Sequence, residues 1–285
     1  MAQWSDGRTP AERDQGGTGA DSLRSRGISA DTAITWQLVF AGGRVTIPLN
    51  DASGQTVGFC GRATGNQQPK YRNSTGDLLI KRNGLVLCLD QAADAIRNEG
   101  TAPLVEGPLD VIQLHQAGFT NSVACLGRSV SELQLQLLRC QGMLHLLIAL
   151  DGDGAGQAAT ERLIEWLQPH LVAGGLSTSV VQWPGGHDAD GLLRDQQQLG
   201  GLIASARHWL EWRLDCLLFP LGADSASPSQ ETLQAVEQFG QALIEQLPDE
   251  VLCCSAEQRL TVTLQGINCH DESIAAAIPP TAQVE

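Results

Sequence analysis

The stretch LHLLIALDGDGAGQAATERL, residues 144–163, decides the fold. Residues 144–150 are almost wholly apolar, too few for a buried helix and bounded by acidic and small residues, so they read as a buried strand. Asp151 and Asp153 follow one residue apart, with Gly152, Gly154 and Gly156 between and beyond them. From residue 154 the apolar positions return at helical spacing. A buried strand that runs through a short acidic turn straight into a helix is one crossover unit of a parallel sheet.

The same unit recurs on both sides. Apolar strands are expected at 102–107, 122–127, 144–151 and 177–183, separated by a helix at 109–118 that ends on Gly118, a helix in SVSELQLQLLRCQG, and a helix in GAGQAATERLIEWLQPHL. The fold class is therefore α/β, a parallel sheet with flanking helices. Beyond DADGLLRD the chain, to about residue 270, carries leucines at helical spacing and reads as a helical subdomain. Upstream, DSLRSRGISADTAITWQLVF reads as two short helices, the second capped by Ser29 with Asp31 in its first turn. RVTIPLNDASGQTVGFCGRAT alternates about a polar turn, the pattern of a β-hairpin. The expected organisation is a disordered lead (1–20), a small α+β subdomain (21–100), the parallel-sheet domain (101–198), a helical subdomain (199–270) and a flexible tail (271–285). No internal repeat is found.

The chain has 18 Lys and Arg against 32 Asp and Glu, a net charge of −14. This argues against a uniform basic coat for nucleic acid. The charge is unevenly spread, however. Between residues 44 and 82, Arg44, Arg62, Lys70, Arg72, Lys81 and Arg82 face only Asp51 and Asp77, so one basic segment precedes a strongly acidic one. The eight cysteines show no C-x-x-C spacing, and no H-x-x-x-H completes a zinc site. They read as small buried hydrophobes of a reducing compartment, and no zinc site is expected in this chain. No secretory segment and no long apolar run occurs, so a soluble cytoplasmic protein, with no membrane partner, is expected.

Ligands of an open parallel sheet gather at the carboxyl ends of its strands. Three acidic pairs fall there: Glu106 with Asp110, Asp151 with Asp153, and Asp188 with Asp190. Any one pair is more readily a set of helix caps or solvated loop carboxylates. Three pairs at successive strand ends repel one another unless a cation lies among them. Oxygen ligands without His or Cys suit Mg²⁺ or Mn²⁺. His115 and His145 read as packed residues, and Trp209 with Trp212 as a core stripe.

LVEGPLDVIQLHQAGF, ACLGRS, LIALDGDGAGQAA and GGHDADGLL, in this order, resemble the successive motifs of the Toprim domain shared by primases, topoisomerases and some nucleases. With RGIS, the hairpin segment, QPKYRNS and LLIKRNGLVL upstream, residues 21–195 are similar to the catalytic core of the bacterial DnaG-type primase family. The resemblance implies a Toprim Rossmann-like sheet and primer synthesis: metal-dependent nucleotidyl transfer from NTPs on a single-stranded DNA template, in bacterial, phage or plasmid-encoded replication.

By motif, Glu106, Asp151 and Asp153 are catalytic and, with Asp188 and Asp190, hold two Mg²⁺ or Mn²⁺ ions directly or through water. Glu106 serves equally well as general base at this stage. Asp110 orients the cluster from behind. Arg62, Lys70, Tyr71, Lys81 and, less directly, Arg44 fall where the family lines the template and nucleotide path, with Tyr71 a candidate for base stacking.

Pro108, Gly154 and Ala189 depart from the family's usual residues. Neither a zinc-binding module nor a helicase-binding domain is recognisable in these 285 residues, so a replicative helicase or a separate zinc-module protein is an expected partner. A topoisomerase needs a strand-accepting tyrosine, and the one tyrosine, Tyr71, lies inside the primase-like motif. A Toprim nuclease and a reduced, non-catalytic primase relative stay open as alternatives.

Overall fold

The structure, a computed structural model, describes residues 18–74, 84–127, 129–183, 196–223, 229–247 and 253–265. They divide into two compact units, one running to residue 167 and resuming over 176–206, the other formed by 168–175 and the residues from 207 onward.

The first unit opens with helices α1 (Thr18–Ser25) and α2 (Ala30–Thr35). The Ser29 hydroxyl accepts the Thr32 N–H at 3.1 Å, the cap its position predicts. An antiparallel sheet follows in the order β1 (Val39–Ala41), β2 (Arg44–Asn50), β3 (Thr56–Ala63), β4 (Tyr71–Asn73). The hairpin between β2 and β3 is closed by Asp51, whose Oδ1 accepts the N–H groups of Ser53 at 2.9 Å and Gln55 at 3.1 Å. Gly54, at φ +81°, completes that turn in a conformation few other residues adopt.

The second sheet holds β5 (Val86–Leu87), β6 (Thr101–Val105), β7 (Val123–Cys125), β8 (His145–Ile148) and β9 (Ser177–Val180), ordered β9-β8-β6-β7-β5 within this unit. β9, β8, β6 and β7 run parallel, as the alternation of strands and helices predicts. The strands are shorter than expected, because each apolar run continues past its ladder into the turn that delivers the acidic residues. β5 pairs antiparallel with β7, an edge strand the alternation did not indicate. Two residues are too few to show a period.

Helices α3 (Leu89–Glu99), α4 (Pro108–Gln116), α5 (Glu132–Cys140), α6 (Gly154–Val172) and α7 (Gln196–Ala204) accompany the sheet. α5 begins with a reciprocal capping box between Ser131 and Gln134. One core cluster includes Leu49 and Cys60 of the antiparallel sheet together with Leu87, Val105, Ala124, Leu147 and Ala149 of the parallel one. Each large side chain so buried contributes roughly 1.5–3 kcal/mol, so the two sheets are fused by the same apolar surface. The tie is reinforced on α4. Gln113 donates to the Arg26 carbonyl, and Gln116 donates to the Gly27 carbonyl at 2.7 Å while accepting the Ser29 N–H at 2.8 Å.

In the second unit, α8 (Trp209–Ala223) and α9 (Gln230–Ile244) are followed by a helix over 253–265. Trp209 and Trp212 are buried, the core stripe their spacing predicts. Asp215 of α8 accepts hydrogen bonds from both Arg207 and Arg259. Gly240 lies so close to Leu260 that a Cβ there would meet its side chain at 2.7 Å, which lets the two helices approach closely. Among the described residues no helix is long and apolar enough to cross a membrane.

Candidate active site

β6 ends at Val105, and Glu106 and Gly107 lead into α4 with Pro108 in its first turn, a position where the missing N–H costs nothing. Asp110 therefore sits in the first turn of α4, its carboxylate beside Gly107. The approach is tight: a Cβ on Gly107 would overlap the Asp110 carboxylate and lie 3.3 Å from the Tyr71 hydroxyl. Glycine is the residue that lets the antiparallel sheet's tyrosine and α4's aspartate share that space.

The next strand end is built in a similar way. β8 hands over to Ala149 and Leu150, and then to Asp151. Asp153 caps α6, its Oδ1 accepting the Gly156 N–H at 2.7 Å. One carboxylate oxygen of Asp153 is thus committed to the helix, and the other is available to a ligand. Gly156 abuts the main chain of Asp151, where a Cβ would collide with its carbonyl.

From the antiparallel sheet, β3 and β4 contribute the basic wall. Arg62 is buried, its guanidinium carbon 5.0 Å from the centre of the Tyr71 ring, and it donates a hydrogen bond to the Tyr71 hydroxyl. Burial, and then the Asp110 charge, raise the Tyr71 hydroxyl well above its ordinary range, against the opposing pull of Arg62. Tyr71 therefore stays protonated. One face of its ring is taken by Arg62.

Glu106, Asp110, Asp151, Asp153, Arg62, Lys70 and Tyr71 all line one cavity of about 410 Å³. Cys60 and Asn73 complete its sheet side, and burial pushes the Cys60 thiol up to about 11. Among the described residues, no three of His, Cys, Asp and Glu converge closely enough to form a metal cage by themselves. The carboxylates form an open set around shared space. Asp188, Asp190 and Lys81 lie outside the described residues.

Arg44 is placed elsewhere. Its Nη1 donates to the carbonyls of Gly61 at 3.2 Å and Pro69 at 2.9 Å, and it lines a separate cavity with Thr46, Phe59 and Arg72. The β2–β3 register explains this: Arg44 pairs with Ala63 and Val45 with Arg62, so Arg44 and Arg62 point to opposite faces. Its role here is to pin the turn that carries Lys70 and Tyr71.

His115 Nε2 donates to the Ser122 carbonyl at 2.8 Å, and its ring meets that of Trp36 edge-on, ring centres 5.1 Å apart; burial lowers its pKa. It is a packed residue, as expected. Sequence reasoning missed Trp183, whose indole N–H donates to the Leu150 carbonyl at 2.6 Å just ahead of Asp151. It also missed the steric roles of Gly107 and Gly156. Those glycines were visible within the acidic motifs; the contact of Trp183 with residue 150 had no local signal.

Comparison with known proteins agrees with this architecture. The family profile described as the DNA primase catalytic core, N-terminal domain, matches residues 39–93, and the Toprim-like profile matches 103–193. A DNA primase of Synechococcus elongatus is 37% identical over 199 residues, covering 69% of this chain and 29% of the relative. A DNA primase of Synechocystis is 35% identical over 180 residues, covering 61% of this chain and 28% of the relative. The chain thus matches under a third of these relatives' length.

Among solved structures, a DNA primase domain from Pseudomonas aeruginosa is 30% identical with a TM-score of 0.63, covering 78% of this chain and 68% of that one. A DnaG catalytic core is 25% identical with a TM-score of 0.69, covering 88% and 91%. The RNA polymerase domain of the Mycobacterium tuberculosis primase, solved with double-stranded DNA, shares the fold at 24% identity and a TM-score of 0.73, covering 90% and 94%. Both sheets, the acidic strand ends and these relatives lead to one conclusion: the chain belongs to the bacterial DnaG-type DNA primase family.

Proposed function

We propose that this chain carries the primer-synthesising centre of a DNA primase, joining ribonucleotides on a single-stranded DNA template with Mg²⁺ or Mn²⁺. The observation that carries the reading is a single cavity with a carboxylate wall (Glu106, Asp110, Asp151, Asp153) opposite a cationic wall (Arg62, Lys70). Its relatives are named DNA primases, and a DnaG primase catalytic domain of the same fold has been solved bound to single-stranded DNA.

The donor set fits a hard divalent cation: the cavity offers oxygen ligands on its acidic side, and its one sulfur, Cys60, is held protonated by burial. Glu106, Asp151 and Asp153 would hold it, joined by Asp188 and Asp190. When bound, such ions lower the pKa of the attacking 3′-hydroxyl and neutralise charge on the triphosphate. Glu106, beside the cavity, serves either as a ligand or as the group that accepts the hydroxyl proton. Asp110 orients the acidic turn through its contact with Gly107 and Tyr71. Lys70 and Lys81 contact phosphates, while Arg62 holds Tyr71 and presents its remaining charge to the nucleotide path.

On this reading residues 21–100 form the nucleic-acid-facing subdomain, 101–198 the Toprim domain and 199–270 a helical subdomain, acting in the cytoplasm with NTPs and template. A replicative helicase and a separate zinc-module protein are its proposed protein partners. The test incubates the protein with Mg²⁺ or Mn²⁺, single-stranded DNA and NTPs. Short RNA products that disappear in Asp151→Ala are expected. Degradation of the DNA without synthesis would replace this reading with a nuclease, and DNA binding without either activity would replace it with a non-catalytic relative.

A further inference from the structure

The Leu150 carbonyl lies one residue beyond the last paired residue of β8, Ile148, and its neighbour Ala149, and immediately ahead of Asp151. The ladder with β9 closes at Ile148 and Val180, with one more bond from the Val181 N–H to the Ile148 carbonyl at 2.9 Å. Past that point the two strands are joined by a side chain. Trp183, half-buried against the core shared by both sheets, donates its indole N–H to the Leu150 carbonyl at 2.6 Å. On the far side of Asp151, the backbone of Gly156 fits against the Asp151 carbonyl with no room for a Cβ. The peptide groups before and after Asp151 are thus each held by a separate element.

We propose that Trp183 is a positioning residue for Asp151, fixing the direction in which that carboxylate meets a divalent cation. The proposal rests on the nucleotidyl-transfer reading of the cavity. Its physical basis is the coupling between a peptide plane and the side chain next to it. Rotation of the 150–151 peptide redirects the Asp151 Cα–Cβ bond, and a strand-end carbonyl without a fixed donor is free to rotate towards water. Indole is a donor only, so its hydrogen bond selects the carbonyl-facing orientation of that peptide. A leucine or phenylalanine at 183 would fill the same apolar space without donating to the Leu150 carbonyl. The donor atom, rather than the bulk of the ring, is therefore what the site uses.

The experiment compares the parent protein, Trp183→Phe and Asp151→Ala. Mn²⁺ affinity is read from the electron paramagnetic resonance signal of free Mn²⁺, with no substrate present. Hydrogen exchange at residues 149–152 is followed, and primer synthesis is measured across Mg²⁺ concentrations. Trp183→Phe is expected to bind Mn²⁺ about five-fold more weakly, the scale of one lost hydrogen bond. Its 149–152 amides should exchange faster, and its activity should recover at saturating Mg²⁺. Asp151→Ala should not recover.

Unchanged Mn²⁺ affinity in Trp183→Phe overturns the proposal, as does an activity loss of equal factor at every Mg²⁺ concentration, which a merely structural role would give. Parent and Asp151→Ala binding Mn²⁺ alike would overturn the reading of the acidic site itself, and the proposal with it. Should Trp183→Phe fail to fold, site-specific benzothienylalanine at 183, which replaces the N–H with sulfur in a ring of the same shape, gives the same comparison.

Discussion

Replacing Gly107 by alanine separates folding from function at this site. Gly107 has φ −111° and ψ 153°, extended backbone that alanine adopts freely, so no dihedral strain arises. Alanine narrows the unfolded ensemble, a gain of about 0.4–1 kcal/mol. Against it, alanine is the poorer N-cap by about 0.5 kcal/mol. The new methyl would overlap the Asp110 carboxylate, which must leave its rotamer at a cost of about 0.5–1.5 kcal/mol. Together these terms leave a net loss of about 0–1.6 kcal/mol, a small part of a domain's stability.

The site responds differently. The Asp110 carboxylate cannot keep its place, and the Tyr71 hydroxyl, 3.3 Å from the new carbon, must give by a few tenths of an ångström. A displacement of about 1 Å in a positioned group costs on the order of a hundred-fold in rate. Urea unfolding should therefore give a near-parental midpoint, while primer synthesis falls by about two orders of magnitude. Activity within about three-fold of the parent would refute the argument that Asp110 and Tyr71 position the acidic turn. So would an activity loss that merely follows the fraction of folded protein.

Gly156→Ala places its methyl against the main chain of Asp151, which has less freedom to move than a side chain. It should lose about 1–3 kcal/mol of stability in urea unfolding as well as activity. Tyr71→Phe removes one acceptor of buried Arg62 and should lower stability by roughly 1–3 kcal/mol in thermal unfolding; Tyr71→Phe with Arg62→Met should recover part of it. Burial lowers the pKa of His115 and of His145 from 6.5, so both contribute stability above pH 6.5 that is lost as pH falls through their folded values. Denaturation midpoints should drop below that pH, and the double variant His115→Gln, His145→Gln should flatten the decline. At the alkaline end the Cys60 thiol, raised from 9.0 to about 11, should cost stability as pH rises across that interval, by about 1.4 kcal/mol per pH unit, and Cys60→Ala should remove that slope.

Much of the parallel-sheet region was legible because each of its signals is local. Apolar runs of strand length, helical spacing after them and acidic residues at the junctions lie within a few positions of one another. The same holds for the Ser29 cap and the Asp51 turn, where one side chain serves backbone groups two to four residues away. β5 escaped notice because two residues carry no period, and the fate of Arg44 because register, not composition, decides which face a side chain takes. The guanidinium of Arg62 against the Tyr71 ring was not legible either, because cross-strand pairing brings the two together.

By itself the sequence determined that the chain builds an α/β sheet with carboxylates at its strand ends and a basic segment ahead of it. It could do so because hydrophobic period and charge order are one-dimensional properties. Only the tertiary structure decided that Tyr71 meets Gly107 and Asp110, that Asp153 divides its carboxylate between a helix and the cavity, and that Trp183 reaches back to Leu150. Those contacts join residues up to 39 positions apart. The Tyr71 contacts exist because two sheets were fused by a common core, and that of Trp183 because β9 lies beside β8, neighbourhoods that no periodicity along the chain relates.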